Sequence, residues 1–115
     1  MKTRKQHPRN PVSTFLRILN VIKLFHWNTK VYAQHKASNE LYEKLSELID
    51  SYMEKYIGMN GTVSLQSIVL PTNFIGEIHS FRKFLTTLNS ASDLNNIRDE
   101  MLGEVDQFLY FWRLK

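Results

Sequence analysis

Hydrophobic residues recur along the chain at intervals of three and four, and this spacing predicts four amphipathic helices. The predicted helices cover about residues 13–29, 33–57 and 71–88, and a fourth begins at Ser92 or Asp93. Their apolar stripes are, in chain order, Phe15, Leu16, Ile18, Leu19, Val21, Ile22 and Phe25; Leu41, Leu45, Leu48, Tyr52 and Tyr56; Phe74, Ile78, Phe81 and Leu85; and Leu94, Ile97, Met101, Val105, Phe108 and Trp112.

The breaks between these helices predict how the helices are connected. Ser13 is a candidate N-cap of the first helix, and Gly58 is expected to end the second as a C′ glycine. Asn60-Gly61 is a turn signal, and residues 59–70 are predicted to form an ordered crossover loop, with a short strand as the alternative. Short links within each helix pair and one longer link between the pairs predict an all-α, four-helix, ferritin-like bundle with one longer crossover loop.

Composition narrows the choice of chemistry. The chain has 115 residues, enough for one domain or one subunit of an assembly. It has no Cys, which excludes disulfides and thiolate metal sites, so a metal would need His, Asp and Glu ligands. No apolar run approaches the ~18 residues of a membrane span, and we expect neither a secretory signal nor a membrane partner. Nucleotide-binding loops, HExxH and GxSxG are absent from the sequence, as is the Glu-x-x-His di-iron signature.

The formal net charge of +4 resides in the first ten residues. Lys2, Arg4, Lys5 and Arg9 stand there without an acidic residue, whereas the remainder of the chain has equal numbers of basic and acidic side chains. We therefore interpret residues 1–12 as a basic flexible tail and residues 13–115 as the bundle. Such a tail predicts weak, salt-sensitive contact with nucleic acid, and the alternative is a solubilising terminus without a specific partner.

Four residues are candidate metal ligands. His26 ends the first predicted helix and His35 begins the second, so a short turn lets them approach each other. Asp50 and Glu54 form an i, i+4 carboxylate pair further along the second helix. His35 and Glu54 lie roughly 28 Å apart on a straight helix, too far to share one ion in one chain. An antiparallel two-fold pairing of second helices would bring His35 of one chain beside both carboxylates of the other, so a shared site requires at least a homodimer.

The segment FHWNTKVYAQHKASNELYEKLSELIDSYMEKYIG resembles the Dps mini-ferritins, the DNA-protection proteins of starved cells. In that family a His-Trp-Asn begins the region, a second His follows, and then come Asp and Glu four residues apart. The resemblance implies a ferroxidase centre between subunits, with His26 and His35 as imidazole ligands and Asp50 and Glu54 as carboxylate ligands. It also implies oxidation of iron by peroxide or oxygen without separate catalytic residues, with another divalent metal as the alternative to iron. The expected partners are a second copy in a homodimer or further copies in a larger closed homo-oligomer, and DNA bound by the tail.

Departures from the Dps pattern leave a second interpretation open. Asn39 stands where the family often has a further ligand Asp, and Glu43, one turn beyond, is a weaker candidate to replace it. Trp27 is expected to serve in packing, with a supporting role behind the ligands as the alternative. The compact chain also resembles small ferritin-like proteins of large DNA viruses. The alternative function is therefore a non-enzymatic structural, virion or DNA-associated protein, and the expected location is the cytoplasm, the nucleoid or a virion.

Overall fold

The computed structural model describes residues 11–65 and 73–114. These residues form four helices, α1 (Val12–Asn28), α2 (Tyr32–Asn60), α3 (Phe74–Thr87) and α4 (Ser92–Arg113), and the two described ranges contain no strand. The predicted all-α four-helix architecture is confirmed. The four tail cations and residues 66–72 of the predicted crossover lie outside the described residues.

The helix ends depend on local backbone conformation more than on the spacing of apolar residues. The predicted stop at Gly58 is wrong, because α2 continues for two further residues and ends before Gly61. Gly61 has a φ of 87°, which favours glycine, whereas Gly58 is accommodated inside the helix. The predicted caps of α1 and α4 are also wrong, since Pro11 and Ala91 occupy those positions without side-chain capping bonds.

The sequence predicts a third helix that opens at residue 71, but α3 begins at Phe74, and residues 71 and 72 lie outside the described ranges. The Asn73 side-chain oxygen accepts a 3.0 Å hydrogen bond from the Gly76 backbone N–H, as expected of an N-cap. This bond fixes the point at which the chain re-enters the bundle after the crossover.

Aromatic contacts define the direction of each helix. Phe25, near the end of α1, stacks on Phe74 at the start of α3, with 3.9 Å between ring centroids. Phe15, near the start of α1, contacts Phe84 near the end of α3, so α1 and α3 are antiparallel. Trp112, at the end of α4, returns to Phe25 and Phe74. The link from α2 to α3 therefore joins opposite ends of the bundle, as one long crossover requires.

Around the bundle the helices follow the order α1, α2, α4, α3, so that α1 packs beside α3 and α2 beside α4. Each neighbouring pair is antiparallel, and α2 lies diagonally opposite α3. Hydrophobic side chains from all four helices form one core. Its buried members are Phe15, Ile18, Ile22, Leu41, Leu45, Ile49, Tyr52, Ile78, Phe81, Leu85, Leu94, Ile97, Met101, Val105, Phe108 and Leu109.

Most of the predicted stripes point into this core, but two positions differ. Leu16 is 38% exposed, because the buried face of α1 is centred on Phe15, Ile18 and Ile22. On α2 the buried residue is Ile49, whereas Leu48 is only partly buried. The spacing therefore predicts the correct helices and most of their buried residues, but it includes Leu16 and Leu48 at the edges of the buried faces and omits Ile49.

Candidate metal centre

A tight turn brings His26 and His35 together. The turn runs from Thr29 to Val31, between the last turn of α1 and the first turn of α2. The Thr29 hydroxyl accepts from the Val31 backbone N–H at 3.3 Å and donates to the Gln34 side-chain oxygen at 2.7 Å. The predicted approach of the two histidines is confirmed, since their rings stack with 3.8 Å between centroids and 20° between planes.

Reciprocal hydrogen bonds orient both imidazoles. His26 Nδ1 donates to the backbone carbonyl of His35 at 2.9 Å, and His35 Nδ1 donates to the carbonyl of His26 at 3.0 Å. A carbonyl oxygen can only accept, so each Nδ1 carries a proton, and in the neutral form of each ring the lone pair therefore lies on Nε2. This is the arrangement that metal-binding histidines adopt when a second hydrogen bond sets their tautomer.

Ser38 contacts both histidines through its hydroxyl, and the sequence did not predict this role. Its side chain is fully buried, and its hydroxyl donates to the His35 carbonyl at 3.1 Å. The same oxygen lies 3.3 Å from His26 Nδ1 and accepts a second, longer bond from it. A buried serine three residues after a histidine has no distinctive sequence signal, because serine is also common on solvated helix faces.

The stacked geometry limits how the rings can hold metal. His26 is half-buried and His35 is exposed, so the pair lies at the molecular surface. A metal ion lies in the plane of the imidazole that binds it, about 2 Å from the nitrogen. Two planes inclined by 20° with centroids 3.8 Å apart do not converge within that distance. In this arrangement each ring can hold its own ion, but the two rings cannot chelate one ion together.

The structure does not bring the two predicted carboxylates to the histidines within one chain. Asp50 and Glu54 are both exposed on α2, 15 and 19 residues beyond His35. These separations correspond to about 22 and 28 Å along the helix. Among the residues that the structure describes, no three His, Asp or Glu side chains come together as a metal-binding group. A site that uses all four predicted ligands therefore requires a second chain.

The weaker candidates are exposed or partly exposed side chains of α1 and α2. Trp27 is 71% exposed, so it does not serve in packing within the chain. The Asn39 amide donates a long, 3.4 Å bond to a Glu43 carboxylate oxygen one turn further along α2. Glu43 is exposed and keeps its second oxygen available, but it lies about 12 Å along the helix from His35.

Helix length and polarity also bear on the membrane question. Over the described ranges, none of the helices combines the length and the apolar character that crossing a bilayer demands.

These observations define a small all-α bundle with an oriented histidine pair at one end. The model of a family of unknown function (DUF5856) matches residues 26–111, which is most of the chain, and the protein belongs to that family. The matched range begins at His26 and contains all four predicted metal ligands, whereas the basic tail precedes it.

A similarity to a phage protein accompanies the family match. Over 54 residues the chain is 41% identical to an uncharacterized 14.6 kDa protein from the mobD-ri intergenic region of Enterobacteria phage T4. The aligned segment is 44% of this chain and 42% of the phage protein, so the chain spans less than half of that relative. No solved structure matches the chain.

Proposed function

We propose that the protein binds and oxidises Fe(II) at sites formed between two copies of the chain. The observation that carries this proposal is the His26–His35 pair, whose Nδ1 atoms are both engaged by carbonyls. In the neutral form of each ring, the Nε2 lone pair is thereby held at a surface, where it can bind a cation before any partner arrives. Iron is the substrate here, and imidazole with carboxylate suits both of its oxidation states.

The second copy would supply the carboxylate ligands that the histidine pair lacks within its own chain. If two α2 helices pack antiparallel about a two-fold axis, Asp50 and Glu54 of one chain approach His35 of the other. The carboxylates stand one helical turn apart and can face two neighbouring ions. Since the stacked rings address separate ions, we infer up to two iron atoms per site and two equivalent sites per dimer.

The connectivity supports a relationship to ferritin-like proteins. A single long crossover between two antiparallel helix pairs is the connectivity of that fold, and the resemblance to Dps proteins covers α1 and α2. We propose that the chain is a compact member of this group, that it assembles as a homodimer or a larger closed oligomer, and that peroxide or oxygen is the oxidant.

Mixing two inactive variants tests the shared site directly. We expect His35→Ala and Asp50→Ala each to abolish Fe(II)-dependent peroxide consumption, while the exposed α3 variant His79→Ala retains it. When His35→Ala and Asp50→Ala chains are unfolded and refolded together, half of the dimers are mixed, and each has one intact and one doubly damaged site. Activity should return to about a quarter of wild type.

Two results of this experiment would contradict the proposal. A mixture as inactive as its components would exclude a site shared between chains, provided that native mass spectrometry shows mixed dimers. A stable monomer that consumes peroxide in the wild type and in all three variants would refute both the interface and the assigned ligands.

A second candidate is a structural or DNA-associated viral protein that does not require metal chemistry. The phage relative is consistent with a viral setting, and the four cations of the basic tail suggest contact with nucleic acid. In this role Lys2, Arg4, Lys5 and Arg9 would bind nucleic acid, and the protein would reside in the cytoplasm, the nucleoid or the virion. Removal of residues 1–10 should eliminate retardation of DNA at low salt, and unchanged retardation would refute this role for the tail.

A further inference from the structure

An open groove runs along the seam between the first turns of α2 and the last turns of α4. It extends from Tyr32 and Leu114 to Lys44 and Glu104, which corresponds to about 18 Å along α2. Phe111 lines the groove near its middle. Tyr32 is 75% exposed, and Leu114 and Phe111 are exposed as well. Three large hydrophobic side chains exposed in one short groove indicate a surface that another polypeptide covers.

The α2 side of this groove combines small side chains with alternating charges. Ala33 and Ala37 lie one turn apart and allow a neighbouring molecule to approach the helix closely. Lys36, Glu40 and Lys44 follow one another at intervals of four residues, so they form an exposed row with the signs plus, minus and plus. Among the described side chains, none of these three takes part in an ion pair. The row can therefore pair with opposite charges on another molecule.

The order of these charges is complementary to itself. When two α2 helices pack antiparallel about a two-fold axis, residues equally far from the axis on either side face each other. An axis level with Ser38 places Lys36 of each copy opposite Glu40 of the other, so one contact contains two ion pairs. An axis level with Glu40 would instead oppose Lys36 to Lys44 and Glu40 to itself. The charges therefore select one register, and they match a second copy of this chain better than a uniformly acidic or basic partner.

We propose that the α2/α4 groove binds the same groove of a second copy of the chain, with the two-fold axis level with Ser38. In this register Tyr32 lies opposite Lys44 of the other copy, since both are six residues from Ser38. A lysine ammonium over a tyrosine ring is a favourable contact, and the chain already contains one between Lys23 and Tyr42. The contact thus covers the most exposed ring of the groove with the stem and the charge of a lysine.

This contact is distinct from the one that the proposed iron site requires. His35 stacks on a ring from α1, so the histidine pair belongs to the α1/α2 face of the bundle. The groove belongs to the neighbouring α2/α4 face, where Ala37 and Phe111 line it from opposite sides. A chain that uses both faces contacts two different copies, so the assembly then contains more than two chains. The groove contact itself does not depend on iron.

Charge reversals test the contact and its register. Lys36→Glu makes positions 36 and 40 both acidic, and Glu40→Lys makes both basic, so each variant repels its own copies across the groove. When the two variants are mixed, position 36 of each meets the opposite charge at position 40 of the other. Sedimentation velocity over a dilution series, with a chelator present, compares the wild type, both variants, their equimolar mixture and the control Lys83→Glu, which is exposed on α3. Each variant alone should associate through the groove about tenfold or more weakly, whereas the mixture and the control should keep the wild-type size.

An uncharged substitution provides a second measurement. Tyr32→Ala removes the most exposed ring of the groove, and the matched control Tyr110→Ala removes an exposed ring from the α3 side of α4. We expect a smaller assembly for Tyr32→Ala alone, while circular dichroism shows unchanged helix content in both variants.

Several results would overturn the proposed contact. They are a wild type that stays monomeric at every concentration, charge variants that keep the wild-type size, a mixture that associates no better than its components, and equal losses in Lys36→Glu and Lys83→Glu. Failure of the proposed iron function is recognised separately, as a wild type that consumes no peroxide with Fe(II), and it leaves the sedimentation results unchanged.

Discussion

The stacked histidine pair makes a quantitative prediction about stability in the absence of metal. His26→Ala removes one Nδ1–carbonyl hydrogen bond and the contact between the rings, and His35→Ala removes the reciprocal bond and the same contact. A net hydrogen bond contributes about 1 kcal/mol, and an aromatic ring pair contributes about 0.5–1.5 kcal/mol. Because His35 is exposed, the lower half of the ring-pair range applies, and each single variant should lose about 1.5–2 kcal/mol of unfolding free energy.

The double variant separates the ring contact from the hydrogen bonds. Both single variants lose the same ring contact, so the sum of their losses counts it twice. The His26→Ala/His35→Ala chain should therefore be destabilised by about 0.5–1 kcal/mol less than that sum.

The assay is urea unfolding of the wild type, both single variants and the double variant at pH 8 in the presence of a chelator, with circular dichroism as the signal. Variants of the exposed His79 provide the control for losing an imidazole elsewhere. Strictly additive losses, or single variants within about 0.3 kcal/mol of wild type, would show that the rings do not form the contact on which the proposed metal site depends.

Three further predictions concern the scaffold. Phe15→Ala should destabilise the protein by about 3–5 kcal/mol, because Phe15 is fully buried against rings from α2 and α3. Leu16→Ala, at a partly exposed position, should destabilise it by less than about 1 kcal/mol. The midpoints of urea unfolding measure both losses. Gly61→Ala should lower the free energy of unfolding by about 1–3 kcal/mol because the φ of Gly61 is 87°. Gly58→Ala, inside the helix, should raise it by about 0.5–1 kcal/mol. If thermal unfolding shows the reverse order, α2 ends at Gly58 instead. Burial, followed by the nearby Tyr56, raises the pKa of Tyr52 above its ordinary value of 10.0. The protonated phenol therefore contributes stability that is complete below pH 10.0 and is lost as the pH rises through the pKa of the folded state. Tyr52→Phe should lose less stability than wild type between about pH 9 and 11.

Periodicity was sufficient for the helices because each has a polar face and a buried face. It was less informative at helix ends, where a single backbone angle decides the outcome. Nothing in the local sequence shows that the chain tolerates Gly58 as helical, and the positive φ that ends α2 occurs only at Gly61. Asn60-Gly61 is itself a turn signal, but Gly58 precedes it and fits the same C′ pattern, so the sequence alone favours the earlier glycine.

Spacing predicted that His26 and His35 meet, but not how they meet. Nine residues with a turn between them bring the two rings close, whereas stacking depends on the carbonyls and the buried Ser38 hydroxyl that orient them. Those partners are supplied mainly by the backbone, which has no residue-specific signature. The involvement of Asp50 and Glu54 remains a prediction, because their proposed counterparts belong to a second chain.

The antiparallel arrangement of every neighbouring pair has an electrostatic consequence. Two helices run in each direction, so their backbone macrodipoles largely offset one another. The excess of acid on α2 and α4, which together hold ten of the eleven acidic residues of the chain, therefore acts through side chains, most of them exposed. Substitutions at these solvated positions can therefore reverse or erase the charge difference between the helices while the bundle itself stays intact.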